Sequence, residues 1–167
     1  EMNKRIADVE SSSAHILKEN KLLKEEILRL SNSLQAEKET VSDLEQYIRR
    51  ECLEISGIPE EMHEDTNDIV IRVGRMIGVE IENSDISISH RLPIKQSAKE
   101  TNKIIAKFVR RDKRDEFYRA RKLLRNRTTR DLNLARYFEN RIFINESLSS
   151  NNKQLLKESL KIKRNMN

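Results

Sequence analysis

A chain of 167 residues carries 33 Lys and Arg against 28 Asp and Glu, a formal net charge of +5, and 37% of its residues are charged. Three Gly, two Pro and one Cys argue against both a disordered chain and a large compact enzyme, and they exclude an intrachain disulfide framework and a zinc-finger cluster. No apolar run approaches the roughly 20 residues that cross a bilayer, and no signal peptide precedes the first heptads, so the expected compartment is cytosol or nucleus, with no membrane partner.

From Met2 the apolar positions recur alternately at four and three residues. Ile6, Ser13, Asn20, Ile27, Leu34, Val41 and Ile48 take the a positions; Met2, Val9, Ile16, Leu23, Leu30, Glu37 and Leu44 take the d positions. Neither Gly nor Pro interrupts this seam, which predicts a helix to Ile48 that associates as a coiled coil, on the order of 70 Å long at about 1.5 Å per residue. The run Arg5-Ile6-Ala7-Asp8-Val9-Glu10, with Arg5 at g and Glu10 at e, resembles a short trimerisation motif and favours a parallel homotrimer. Leu-rich d positions and the polar Asn20 at a keep a dimer as the second choice.

Charge then changes sign. Residues 1–48 hold 7 Lys and Arg against 10 Asp and Glu; residues 49–167 hold 26 against 18. Cys52 to Ile58 alternates as a strand and is stopped by Pro59. Asp65 or Thr66 caps a helix with Ile69, Val70, Val73, Met76 and Ile77 on its core face, ended by Gly78. A second strand covers Ile86–Arg91, and Pro93–Asn102 is a polar loop with Lys95 and Lys99. Ile104, Ala106 and Phe108 give a third strand its buried face. Asp112 caps a basic helix striped by Phe117, Ala120 and Leu124. Asn126–Asn140 is basic and has no clear pattern, Arg141–Asn145 is the last strand, and Ser149 or Ser150 caps a final helix carrying Leu155, Leu156, Leu160 and Ile162.

In order, this is α+β: a long N-terminal parallel coiled coil over 1–48, a ferredoxin-like βαββαβ domain of the RNA-recognition-motif kind over 49–148, and a basic C-terminal helix over 149–167. With the first and third strands central, Glu54 and Lys107 would stand on an open sheet face and pair there, beside Arg91 and Phe143. Within 103–141 the count is 14 Lys and Arg against 5 Asp and Glu, so an acidic polymer is the natural partner of this half. The candidate phosphate contacts are Arg49, Arg50, Arg91, Lys107, Arg110, Arg111, Lys113, Arg114, Arg119, Arg121 and Arg125, with Phe143 as the base-stacking candidate. Charged helices are also commonly just solvated, and a protein-interaction module is the alternative function.

Catalysis finds no support. His15, His63 and His90 fall at no spacing that suggests a metal site or a nucleophile with its base, Cys52 reads as a packed apolar residue, and no Gly-rich phosphate loop exists, so no cofactor is expected. A basic-zipper factor would carry its charge before the heptads, whereas here it follows them.

Five blocks in this order carry a more specific likeness: CLEISGIP at Cys52–Pro59 directly after the heptads and a basic pair, His90-Arg91-Leu92-Pro93, IIAKFVRR at Ile104–Arg111, YRARK at Tyr118–Lys122, and IFINESL at Ile142–Leu148. Together they resemble the first open-reading-frame protein of LINE-type non-LTR retrotransposons, and over the same core the baculovirus FP-protein family. The resemblance implies a trimer that binds single-stranded RNA and DNA with little sequence preference. It also implies a nucleic-acid chaperone role in the element's ribonucleoprotein, in the cytoplasm and also the nucleus. In that family a further small domain follows the last helix, so this chain would be a piece of something longer. The free-face positions Glu54, Ser56, Ile105 and Lys107 depart from the usual aromatics, so backbone contacts by arginine are expected to outweigh stacking.

Overall fold

The uninterrupted first heptads form one helix, α1 (Met2–Arg49), in the computed structural model, which describes residues 1–93, 102–132 and 139–166, the side chains of Lys4 and Ala7 excepted. Most of the polar loop with Lys95 and Lys99, and the middle of 126–140, lie outside the described residues. The chain divides into two compact units, residues 1–44 and 45–167.

In the first unit the seam residues Ile6, Val9, Ile16, Leu23, Ile27, Leu30, Leu34, Val41 and Leu44 are all exposed in the single chain. Asn20 donates its side-chain amide to its own helix, at Ile16 O (3.0 Å), and Arg29 pairs with Glu26 one turn back at 2.7 Å. Among the described residues no helix is long and apolar enough to cross a membrane.

The second unit holds β1 (Cys52–Ser56), α2 (Thr66–Met76), β2 (Ile86–Arg91), β3 (Ile104–Phe108), α3 (Arg111–Ala120), β4 (Phe143–Glu146) and α4 (Ser150–Asn165). Its four strands form one antiparallel sheet in the order β2-β3-β1-β4. Leu53, Ile55, Ile104, Ala106, Phe108 and Ile144 share the face that packs on Val70 and Val73 of α2 and Phe117 of α3, and the rings of Phe108 and Phe117 meet at 5.5 Å. Asp65 caps α2 by accepting from the amides of Asn67 and Asp68, which satisfies two donors of the first turn.

Four local expectations are corrected. The first concerns β2, where Ile86 stands opposite Phe108 but Ile88 stands opposite Lys107, so Ser87 is an extra residue and a β-bulge. Because strand side chains alternate, one inserted residue reverses the faces beyond it. Ile86 is buried, Ile88 is 56% exposed on the outer face, and Arg91, opposite Ile104, turns to the helix side instead of the open face. The second is at α3, which starts at Arg111 with Arg110 as its cap residue, so that Asp112 lies within the first turn. Its α-helical part stops at Ala120 and a 3-10 helix, Arg121–Asn126, carries the stripe on to the buried Leu124.

Third, β4 begins at Phe143, while Arg141 makes an isolated bridge with Thr128. Fourth, Glu54 does not stand open or pair with Lys107. It is 3% exposed beneath the start of α4, where Lys153 Nζ lies 2.8 Å away, Ser147 Oγ donates at 3.3 Å and Lys103 Nζ is at 3.7 Å. Gln46 Oε1, at the end of α1, accepts from Ser149 N (2.8 Å) and Asn152 Nδ2 (3.0 Å) and so ties down the same first turn of α4.

Candidate functional site

Twelve residues were singled out by charge and pattern, and the fold distributes them unevenly. Arg91 is committed internally. Its guanidinium lies 2.6 Å from Glu64, both side chains being about one-tenth exposed (10% and 11%), and it donates to the carbonyls of Ile58 (2.8 Å), Pro59 (2.9 Å) and Asn102 (2.5 Å). The Arg91 hydrogen bonds hold the Glu64 carboxyl below its ordinary value against the opposing effect of burial. Arg114 is also buried, bridging Asp115 (2.9 Å) and Glu146 (3.0 Å), with its Nε unpartnered. Neither guanidinium is placed to meet a phosphate.

A second group is partly or fully exposed but engaged within the fold. Lys107 and Arg111 share Glu51 at 4.0 and 3.9 Å, Arg110 faces Asp112 at 3.3 Å, and Lys113 reaches Glu116 at 3.3 Å. Arg49 pairs with Glu45 at 2.9 Å, and Arg50 lies over the Tyr47 ring at 3.7 Å. Arg119 is exposed and makes no ion pair among the described residues.

Arg121, Arg125 and Phe143 converge. They line a groove of about 670 Å³ between the 3-10 helix Arg121–Asn126 and the chain running from Arg141 into β4. Lys122 and Arg141 line it too, and among the described residues no carboxylate does. The fold makes this groove in three ways. The 3-10 turn eclipses residues three apart, which superposes Lys122 and Arg125. Arg141 and Phe143, two apart in extended chain, share a face, and β4 is an edge strand bonded only to β1. Arg121 is held in place by donating to Tyr118 O at 2.7 Å and by lying over the Tyr118 ring at 3.7 Å. Phe143 stands opposite Ser56 on the outer sheet face and is 53% exposed.

Comparison with protein-family models and with curated proteins finds no match. What the groove can do follows from its own side chains. Among the described residues Lys122, Arg125 and Arg141 make no ion pair, so their charges are unspent, and an aromatic ring stands beside them. Such a set can hold phosphate groups and stack a flat ring.

Lys122 and Arg141 were missed as site residues by charge counting, although their spacing relative to Arg125 and Phe143 was visible. His90 is exposed at the far edge of the sheet, and burial pushes the Cys52 thiol up, with the nearby Lys107 and Arg49 charges partly opposing this, so it is a packing group. Among the described residues no cluster of three or more His, Cys, Asp or Glu could hold a metal ion.

Proposed function

We propose that the chain is a self-associating protein that binds single-stranded RNA, and also DNA, through its phosphate backbone with little sequence preference. The observation that carries this reading is the groove lined by Arg121, Lys122, Arg125 and Arg141 beside the exposed Phe143, with no carboxylate among the described residues that line it. The strand order β2-β3-β1-β4, with α2 and α3 on one face, supports a ferredoxin-like, RNA-recognition-motif-like domain. The order of the CLEISGIP, HRLP, IIAKFVRR, YRARK and IFINESL blocks supports a place in the ribonucleoprotein of a non-LTR retrotransposon, as a chaperone rather than an enzyme. The unpartnered a/d stripe of α1 supports a parallel homotrimer, in which several grooves act on one strand and raise avidity without new contacts.

Binding is measured by fluorescence anisotropy against salt. Four neutralised phosphates per domain give a slope of log affinity on log salt of about −2.8 on single strands, at about 0.7 per phosphate. A salt-independent affinity, or equal binding to an uncharged backbone analogue, would overturn the reading. A protein-interaction module is the second reading, favoured by the exposed Leu155, Leu156, Leu160 and Ile162 of α4. It is selected if single-stranded RNA leaves the anisotropy unchanged.

A further inference from the structure

A second basic hollow, of about 400 Å³, is lined by Arg72, Arg75 and Met76 of α2 with Arg127, Asp131 and Leu132. Its one lining carboxylate is already engaged. Asp131 accepts from Arg127 at 3.2 Å through one oxygen and from the Thr128 amide at 2.8 Å through the other. Arg72 donates to the carbonyl of Leu132 and stands 3.7 Å from Asp68. Arg75 is exposed and makes no ion pair among the described residues; Arg127 is half exposed and engages Asp131 through Nη1, so a phosphate there would share its guanidinium with that carboxylate.

Arg125 lines the first groove and Arg127 the second, two residues along the same chain and so no more than about 7 Å apart at their backbones. Arg141, in the first groove, stands opposite Thr128 across the bridge. The linings of the two hollows therefore meet along the short stretch 125–127.

We infer that Arg75 and Arg127 form a second phosphate-binding step, so that a single strand leaving the β4 groove continues over the Thr128–Arg141 bridge onto the C-terminal end of α2. The inference rests on the reading of the first groove as a nucleic-acid site. It adds the direction in which the strand runs and predicts a length requirement that one groove does not impose.

The test compares labelled oligouridylates of about 4 and about 16 nucleotides, the range of single-strand sites on small modules. Binding is titrated against salt for the parent chain, for Arg75→Ala/Arg127→Ala, and for Lys18→Ala/Lys21→Ala. The last pair removes equal charge from the outer f and b positions of the rod. Leaving two phosphates unneutralised, at about 0.7 each, makes the salt slope on the long strand shallower by about 1.4 in the first variant only, while the short strand binds as it does to the parent.

An unchanged slope on the long strand, or the same change in the rod control or on the short strand, overturns the second step and leaves the first groove standing. If the parent binds neither length, both fall. The replaced side chains are exposed, and unchanged circular dichroism and urea midpoints confirm that the variants remain folded.

Discussion

Replacing Arg91 with Met removes a guanidinium that joins the acidic loop after β1 to the ends of β2 and β3. Glu64 then keeps its charge in a site where its side chain is 11% exposed, and three carbonyls lose their donor. Breaking one side of a buried pair costs about 3–5 kcal/mol, a large share of the roughly 5–15 kcal/mol that holds a domain together. With a urea dependence of about 1–3 kcal/mol per molar, the midpoint falls by about 2 M. The double variant Arg91→Met/Glu64→Leu regains much of this, because no lone charge is left behind.

The acid limb carries a second signature. The folded Glu64 carboxyl is depressed, so its contribution is present above the unfolded value of about 4.3 and is lost as pH falls through the lower folded value. In Arg91→Met that part of the acid-induced loss disappears. An Arg91→Met protein with an unchanged urea midpoint but weakened RNA binding would refute this reasoning and return Arg91 to the binding surface.

Lys122→Ala/Arg125→Ala/Arg141→Ala should flatten the salt slope by about 2 with single-stranded RNA and leave the urea midpoint in place. Phe143→Ala should weaken RNA binding by about 1–3 kcal/mol, the worth of one stacked base, as read by anisotropy at fixed salt. At Gly57 the backbone has φ 94° and an added Cβ would lie 2.0 Å from the Arg141 carbonyl oxygen, so Gly57→Ala should lower the urea midpoint and displace Arg141 from the groove, weakening RNA binding as well. Ile16→Asp/Ile27→Asp puts charge into the α1 stripe and should give a monomer by sedimentation equilibrium, with RNA affinity falling through lost avidity.

Element order and most strand spans were legible because the apolar period announces them: Ile104, Ala106 and Phe108 alternate, and Ile69, Val70 and Val73 recur at helical spacing. Charge counting could locate the basic half but not its free cations, because pairing depends on which carboxylate lies across the fold. Glu146 reaches Arg114 over 32 residues and Glu64 reaches Arg91 over 27, separations that no local pattern reveals. Glu54 reads as an open-face residue by alternation but is buried where Ser147 and Lys153, far along the chain, come to meet it. The bulge at Ser87 was also hidden, since Ile86-Ser87-Ile88-Ser89 looks like an ideal flat alternation.

That same extra residue bears on how copies would coexist in the self-associating protein proposed above. Among the described residues β2 is the outermost strand on its side of the sheet, and an edge strand offers amides and carbonyls on which another strand could lay itself. A kink at Ser87 breaks the straight rail that lateral pairing requires, so domains gathered by such a rod would resist fusing sheet to sheet. Deleting the Ser87 codon would straighten the rim while leaving Ile88 opposite Lys107 on the outer face, trading a guarded boundary for an adhesive one.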